Sequence, residues 1–142
     1  MQREYARAPR GEIIEDVKRG KKFERLNVIG AKCKRKHFAI ECYKRSTNSE
    51  FFEWWFGNNL LNAIPAGEGF TVILDNASFH RKTVLRKLAR GKVRLLFLPP
   101  YSPDYNPIEK TWANMKRFLR SYLNDFKYLD SAVYNYFGVS VV

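Results

Sequence analysis

The sequence is short of the features that define several protein classes. Its 142 residues include two cysteines, Cys33 and Cys42. One such pair does not make a disulfide scaffold, and its spacing is not that of a Cys-x-x-Cys zinc site, so the thiols are expected to be reduced, small, buried or half-buried side chains. No apolar run approaches the ~18 residues that cross a bilayer. The N-terminus, MQREYARAPRG, is charged and has no apolar core of the signal-peptide kind, so the expected location is cytoplasmic, with no membrane partner. Internal repeats, low-complexity stretches and linkers are absent. Acidic residues are scarce as well: 14 Asp plus Glu stand against 26 Lys plus Arg, a formal net charge of +12.

What is present points to a folded, basic chain. At 45% hydrophobic and 15% aromatic residues there is enough apolar surface for a core, and the length suits one domain. The charge is uneven. Met1 to Arg45 holds fourteen basic and six acidic residues, Ser46 to Asp75 holds no Lys or Arg, and Asn76 to Arg120 holds eleven basic residues against Asp104 and Glu109. An excess of this size favours a polyanionic partner, because neutralising phosphates and releasing their counterions supplies most non-specific nucleic-acid affinity. Charge by itself does not choose between DNA, RNA and an anionic membrane.

Periodicity supplies the elements. Alternation at Leu26 and Val28, and again at Phe38, Ile40 and Cys42, on either side of Lys34-Arg35-Lys36, predicts an antiparallel hairpin within 23–42. Asn48 or Ser49 can cap a helix through Phe51, Phe52, Trp54, Trp55 and Leu61 that stops before Pro65, its aromatic stripe reading as core. The continuous apolar run Phe70–Leu74 reads as a buried strand ending on Asp75. A helix follows with Val84, Leu85 and Leu88 inward and Lys82, Arg86 and Arg90 outward, closing at Gly91, and Val93–Leu98 reads as a second buried strand. A right-handed crossover would make these two strands parallel. Pro107 then opens a long helix with Ile108, Trp112, Met115, Leu119 and Tyr122 on one stripe and Lys110, Lys116, Arg117 and Arg120 on the others. Leu129, Val133 and Tyr136 allow one more helix in the tail 124–142.

Two carboxylates fall where a ligand would bind. In open α/β sheets ligands sit beyond the carboxyl ends of the strands, which is where Asp75 lies. If the next strand is parallel, its end emerges on the same edge, and the segment 99–105 delivers Glu109, 34 residues after Asp75, to that edge. Two carboxylates within a basic field are hard oxygen ligands for Mg²⁺ or Mn²⁺ acting on a phosphate backbone. Each also has an ordinary reading. Asn106 and Glu109 form an Asn-x-x-Glu capping box, Asp75 before Asn76 is a turn former, and His80 is either a phosphate contact or a structural histidine.

The segment VILDNASFH, Val72 to His80, followed by LPPYSPDYNPIEKTW, Leu98 to Trp112, closely resembles the catalytic domain of insertion-sequence transposases of the IS630/Tc1-mariner superfamily, the DDE endonucleases. The likeness extends loosely upstream through Ala8-Pro9-Arg10-Gly11 and Leu26-Asn27-Val28-Ile29-Gly30, so it covers most of the chain to about Arg120. The resemblance implies an α/β, RNase H-like mixed sheet flanked by helices and cut-and-paste DNA transposition, with Asp75 and Glu109 as the second and third acids of a triad around two Mg²⁺ or Mn²⁺ ions. It implies DNA contacts at Arg81, Lys82, Arg86, Lys110, Lys116, Arg117 and Arg120, with support from Asn76, His80, Pro99, Pro100, Tyr101, Ser102, Pro103, Asn106, Pro107 and Trp112. The family's first aspartate, its central first strand and its helix-turn-helix region lie upstream of the stretch that resembles 3–11. The expectation is therefore a single partial catalytic domain over 1–142, with its motif-bearing core at about 23–123, lacking that central strand. Glu4, Glu12, Glu15 and Asp16 are poor substitutes, since none follows an apolar strand. Such a chain is expected to be inactive or weakly active alone, nucleoid-associated, and partnered by double-stranded DNA, by further copies or by a complementing N-terminal fragment. The alternative is a non-catalytic DNA-binding or regulatory protein derived from a transposase.

Overall fold

The computed structural model describes residues 5–7, 12–16, 24–65 and 67–138. Two short strands, β1 (Tyr5–Arg7) and β2 (Glu12–Asp16), precede the expected hairpin of β3 (Glu24–Cys33) and β4 (Lys36–Tyr43). The hairpin turns at Lys34, whose φ of 57° is the left-handed value that a two-residue β-turn requires. Asn48 caps α1 (Ser49–Trp55), its Oδ1 accepting from the Phe51 amide at 2.8 Å. The helix runs on through a π-helical turn, Phe56–Leu60, into α2 (Leu61–Ala63). Next come β5 (Thr71–Leu74), α3 (Lys82–Ala89), β6 (Arg94–Phe97), the long α4 (Ile108–Tyr122) and α5 (Leu129–Tyr136).

The strands form one mixed sheet. β3 pairs antiparallel with β4 on one edge, while β1 and β2 share its other edge, since Asn27, Val28 and Lys32 each have a β4 partner as well as a partner in β2 or β1. β5 lies parallel to β1, and β6 parallel to β5, with Leu74 opposite Phe97. The centre of the sheet is thus not vacant, contrary to expectation: β1 stands between β3 and β5. A three-residue stretch suffices because β3 and β5 each leave an unpaired edge there, and buried backbone groups need partners. Glu12, Glu15 and Asp16 belong to β2, opposite Val28, Arg25 and Glu24. Glu4 and the segment 8–11 lie outside the described residues.

Strand alternation feeds two cores. One face sends Ile29, Ala31, Val72 and Leu74 against Phe52, Trp55, Phe56, Leu60 and Leu85, so the aromatic stripe of α1 is core except for Trp54, which is 49% exposed against expectation. Trp55 also donates its indole N–H to the Ala39 carbonyl at 2.7 Å, next to a bulge in the hairpin. The other face sends Leu26, Val28 and Ile40 against Ile108, Trp112, Met115 and Leu119 of α4 and Leu129, Ala132 and Val133 of α5. Cys42 sits at that interface, where its backbone amide donates to the Tyr134 hydroxyl at 3.0 Å. Burial pushes the Cys42 thiol up to about 12, so it is an inert core group.

Three further expectations about burial fail. β6 is an edge strand with Leu96 49% exposed, because no further strand follows it among the described residues and α4 covers β3 and β4 instead. Leu88 is exposed and Ala89 is buried, a shift of one position around α3. Tyr122 lies at the end of α4 beyond the packed stripe and is exposed.

Candidate active site

Asp75 directly follows the fully buried strand β5, and Leu98, directly after β6, donates its amide to the Leu74 carbonyl at 2.8 Å. The parallel pairing therefore brings both strands out on one edge, as expected. The loop that leaves Leu98 passes through a 3₁₀ turn, Pro103–Tyr105, and enters α4, whose first turn carries Glu109. Glu109 is half-buried.

The segment after β5 folds back on itself. The His80 amide donates to the Ala77 carbonyl at 3.0 Å, and the His80 ring returns to Asp75. Its Nδ1 lies 3.0 Å from the Asp75 carbonyl oxygen and 3.4 Å from Oδ1. A carbonyl only accepts, so Nδ1 carries the hydrogen. Burial holds the imidazole below its ordinary range, opposed by the attraction of Asp75, and the ring is neutral. Phe52 and Phe79 enclose it at centroid distances of 4.2 and 4.7 Å. His80 is therefore buried and tied to the Asp75 backbone, not exposed at the surface. The spacing of five residues gave no sign of this contact; the Ala77 to His80 turn creates it.

Several polar atoms here are buried without a hydrogen-bond partner: Asp75 Oδ1, His80 Nε2, both amide atoms of Asn106 and Trp112 Nε1. Asn106 thus makes no capping box. The Glu109 amide bonds to the Asn106 backbone carbonyl at 3.1 Å, and the Asn106 side chain takes no part. An uncommitted, buried carboxylate oxygen at Asp75 is a hard donor of the kind a divalent cation takes, so the residues fit the metal that the motif implies. Among the described residues, no group of three or more His, Cys, Asp or Glu could hold a metal ion.

The cations divide by their surroundings. Arg81 is engaged by Glu53, with Nε donating to Oε2 at 2.7 Å, so its charge is matched by a carboxylate 28 residues earlier. Lys82 Nζ and the Arg86 guanidinium stand over the Phe97 ring at 5.1 and 5.4 Å, at the root of the loop that leaves β6. On α4, Lys110, Arg117 and Arg120 are exposed and Lys116 is half-buried. Asn76, Pro99, Pro100 and Pro107 are exposed, and Pro103 opens the 3₁₀ turn. Ser102 donates to the Pro100 carbonyl at 3.2 Å. Trp112 is buried, packing over Gly30 of β3.

Comparison with known proteins gives a family and two partial likenesses. A protein of Sinorhizobium fredii (strain NBRC 101917 / NGR234), y4pE/y4sA, is 35% identical over 54 residues, 38% of this chain and 38% of that protein. In fold, the chain is similar to one from the simian T-cell lymphotropic virus intasome solved in complex with PP2A regulatory subunit B56 gamma. The TM-score is 0.55 at 18% identity, covering 97% of this chain and 49% of that one. The chain thus spans half or less of the length of each of these two relatives. The likeness to the intasome chain is one of fold alone. A DDE family implies the use of divalent metal. The profile of the DDE superfamily endonucleases matches residues 1–130, most of the molecule, and the chain belongs to that family.

Proposed function

We propose that this chain is the catalytic-domain portion of a cut-and-paste DNA transposase of the IS630/Tc1-mariner kind, acting on double-stranded DNA at transposon ends and target sites. The observation that carries the reading is Asp75: a carboxylate at the end of a buried strand, its backbone carbonyl bonded to a buried histidine and its Oδ1 without a hydrogen-bond partner, on the edge from which the next loop leads to Glu109. Asp75 and Glu109 are the residues that would hold Mg²⁺ or Mn²⁺. When bound, such ions activate the attacking oxygen and stabilise the leaving oxygen of phosphodiester cleavage and strand transfer. His80 bonds to the Asp75 backbone carbonyl and so braces the segment that carries the carboxylate, and Phe52 and Phe79 pack against its ring. Lys82, Arg86, Lys110, Arg117 and Arg120 would take the phosphates on either side. Two carboxylates with a shell completed by water bind a divalent cation weakly, so the chain alone is expected to cut slowly, and further copies or a complementing fragment would raise the rate.

The test is nicking of supercoiled DNA in Mn²⁺. Slow nicking lost in both Asp75→Asn and Glu109→Gln supports the proposal; nicking that persists in both variants overturns it. A second reading, a non-catalytic DNA-binding or regulatory partner of a transposase, draws on the open edge at β6 with its exposed Leu96. It predicts DNA binding with no nicking under any metal, and association with an intact transposase that is lost in Leu96→Lys.

A further inference from the structure

The loop between β6 and α4 carries a feature that cation and carboxylate placement does not explain. Tyr101 is 102% exposed, as open to water as in an extended chain, and Tyr105 is 69% exposed. Large apolar rings left wholly in water on a rigid loop mark contact surfaces. The loop is rigid for covalent reasons: Pro99, Pro100, Pro103 and Pro107 each fix a backbone angle. Its ends are anchored by the Leu98 to Leu74 hydrogen bond and by the buried Asn106 and Ile108. Tyr101 itself is held at φ 56°, a left-handed conformation that a tyrosine adopts only where its surroundings impose it. A glycine would sit there without strain, and it would carry no ring.

Charge says what the ring meets. Lys82 and Arg86 stand over Phe97 at the loop's root, and exposed Lys110 follows at its far end. An aromatic platform between two sets of phosphate-binding cations is the arrangement by which proteins hold an unpaired nucleotide, the ring stacking on the base and the cations tracking the backbone. Building on the DNA reading above, we propose that Tyr101 stacks on a base unpaired beside the scissile phosphate, so that the chain prefers frayed or mismatched DNA at the strand it processes. In this role Tyr101 positions the strand relative to Asp75 and Glu109 without entering the chemistry.

Fluorescence anisotropy would compare one labelled duplex, fully paired, with the same duplex carrying a short unpaired end. The wild-type chain is expected to bind the unpaired end about 5- to 100-fold more tightly, the range that loss of a single base–aromatic stack spans. Tyr101→Ala is expected to abolish that preference while leaving paired-duplex affinity within about two-fold, and Tyr101→Trp to retain it. Tyr101→Gly relieves the left-handed strain, so it is expected to melt no earlier than wild type and yet lose the preference. A preference that survives in both Ala and Gly variants, or a wild-type chain that binds both duplexes equally, overturns the inference and leaves the DNA reading standing. Failure to bind either duplex overturns both.

Discussion

At Gly30 a hydrogen stands where any other residue would place a carbon 2.4 Å from Ile40 Cδ1 and 3.5 Å from Trp112 Cη2. The Ile40 side chain occupies the space of that missing carbon, whereas the contact to Trp112 would be an ordinary one. Gly30→Ala is expected to destabilise the fold by about 1–3 kcal/mol through overpacking, and Ile40→Val, which deletes the clashing methyl, to recover most of the loss. Urea unfolding of both single variants and the double variant checks this; additive losses would contradict it. Single residues also show where local reading stops. Asp75 and Glu109 were legible from their positions relative to a strand and a helix, and the Asn48 cap from its residue type. The engagement of Arg81 by Glu53 was not legible, because the carboxylate comes from another helix. The idle side chain of Asn106 was not either: its spacing to Glu109 fits a capping box, and only the fold shows that the box is unmade.

Elements came through in proportion to their periodicity. The hairpin, α3 and α4 follow from alternation and from 3.6-residue stripes, signals that each segment carries in itself. Strand order is not local, which is why β6 read as buried and lies at an edge, and why the filling of the central position by β1 was not foreseen. The join between elements is similarly hidden in sequence: His37 Nε2 of β4 meets Thr111 Oγ1 in the first turn of α4 at 2.8 Å, and its ring packs on Phe137 at 5.4 Å. Burial, and then the charge of Lys32, hold this imidazole below its ordinary range, as burial does at His80. For a lowered histidine the unfolded chain takes up the proton first. Stability is therefore full above about pH 6.5 and declines as the pH falls below it, while the folded state resists protonation. Urea midpoints measured downward from neutral pH are expected to show this decline, with His37→Gln removing part of it and His80 accounting for the remainder. A decline of unchanged steepness in His37→Gln would contradict the assignment.

The whole chain carries a formal charge of +12, and Lys82, Arg86 and Lys110 lie at the two ends of the loop on the edge where β5 and β6 emerge. If that edge is where DNA lies, affinity must fall steeply with salt, and each phosphate contact removed should lower the slope of log K against log salt by about 0.9. Replacing Lys110, Arg117 and Arg120 by glutamine is expected to weaken binding to all sequences alike and to flatten the salt dependence, whereas Arg81→Gln, whose charge is already matched by Glu53, should change the slope less. Equal slopes for all four variants would place the DNA elsewhere. The account stands most directly on the claim that Asp75 and Glu109 together hold a divalent cation at this edge. Mn²⁺ titration followed by electron paramagnetic resonance measures it: the account predicts weak binding to the wild-type chain that Asp75→Asn and Glu109→Gln each abolish, and Mn²⁺ binding unchanged in both variants would contradict it.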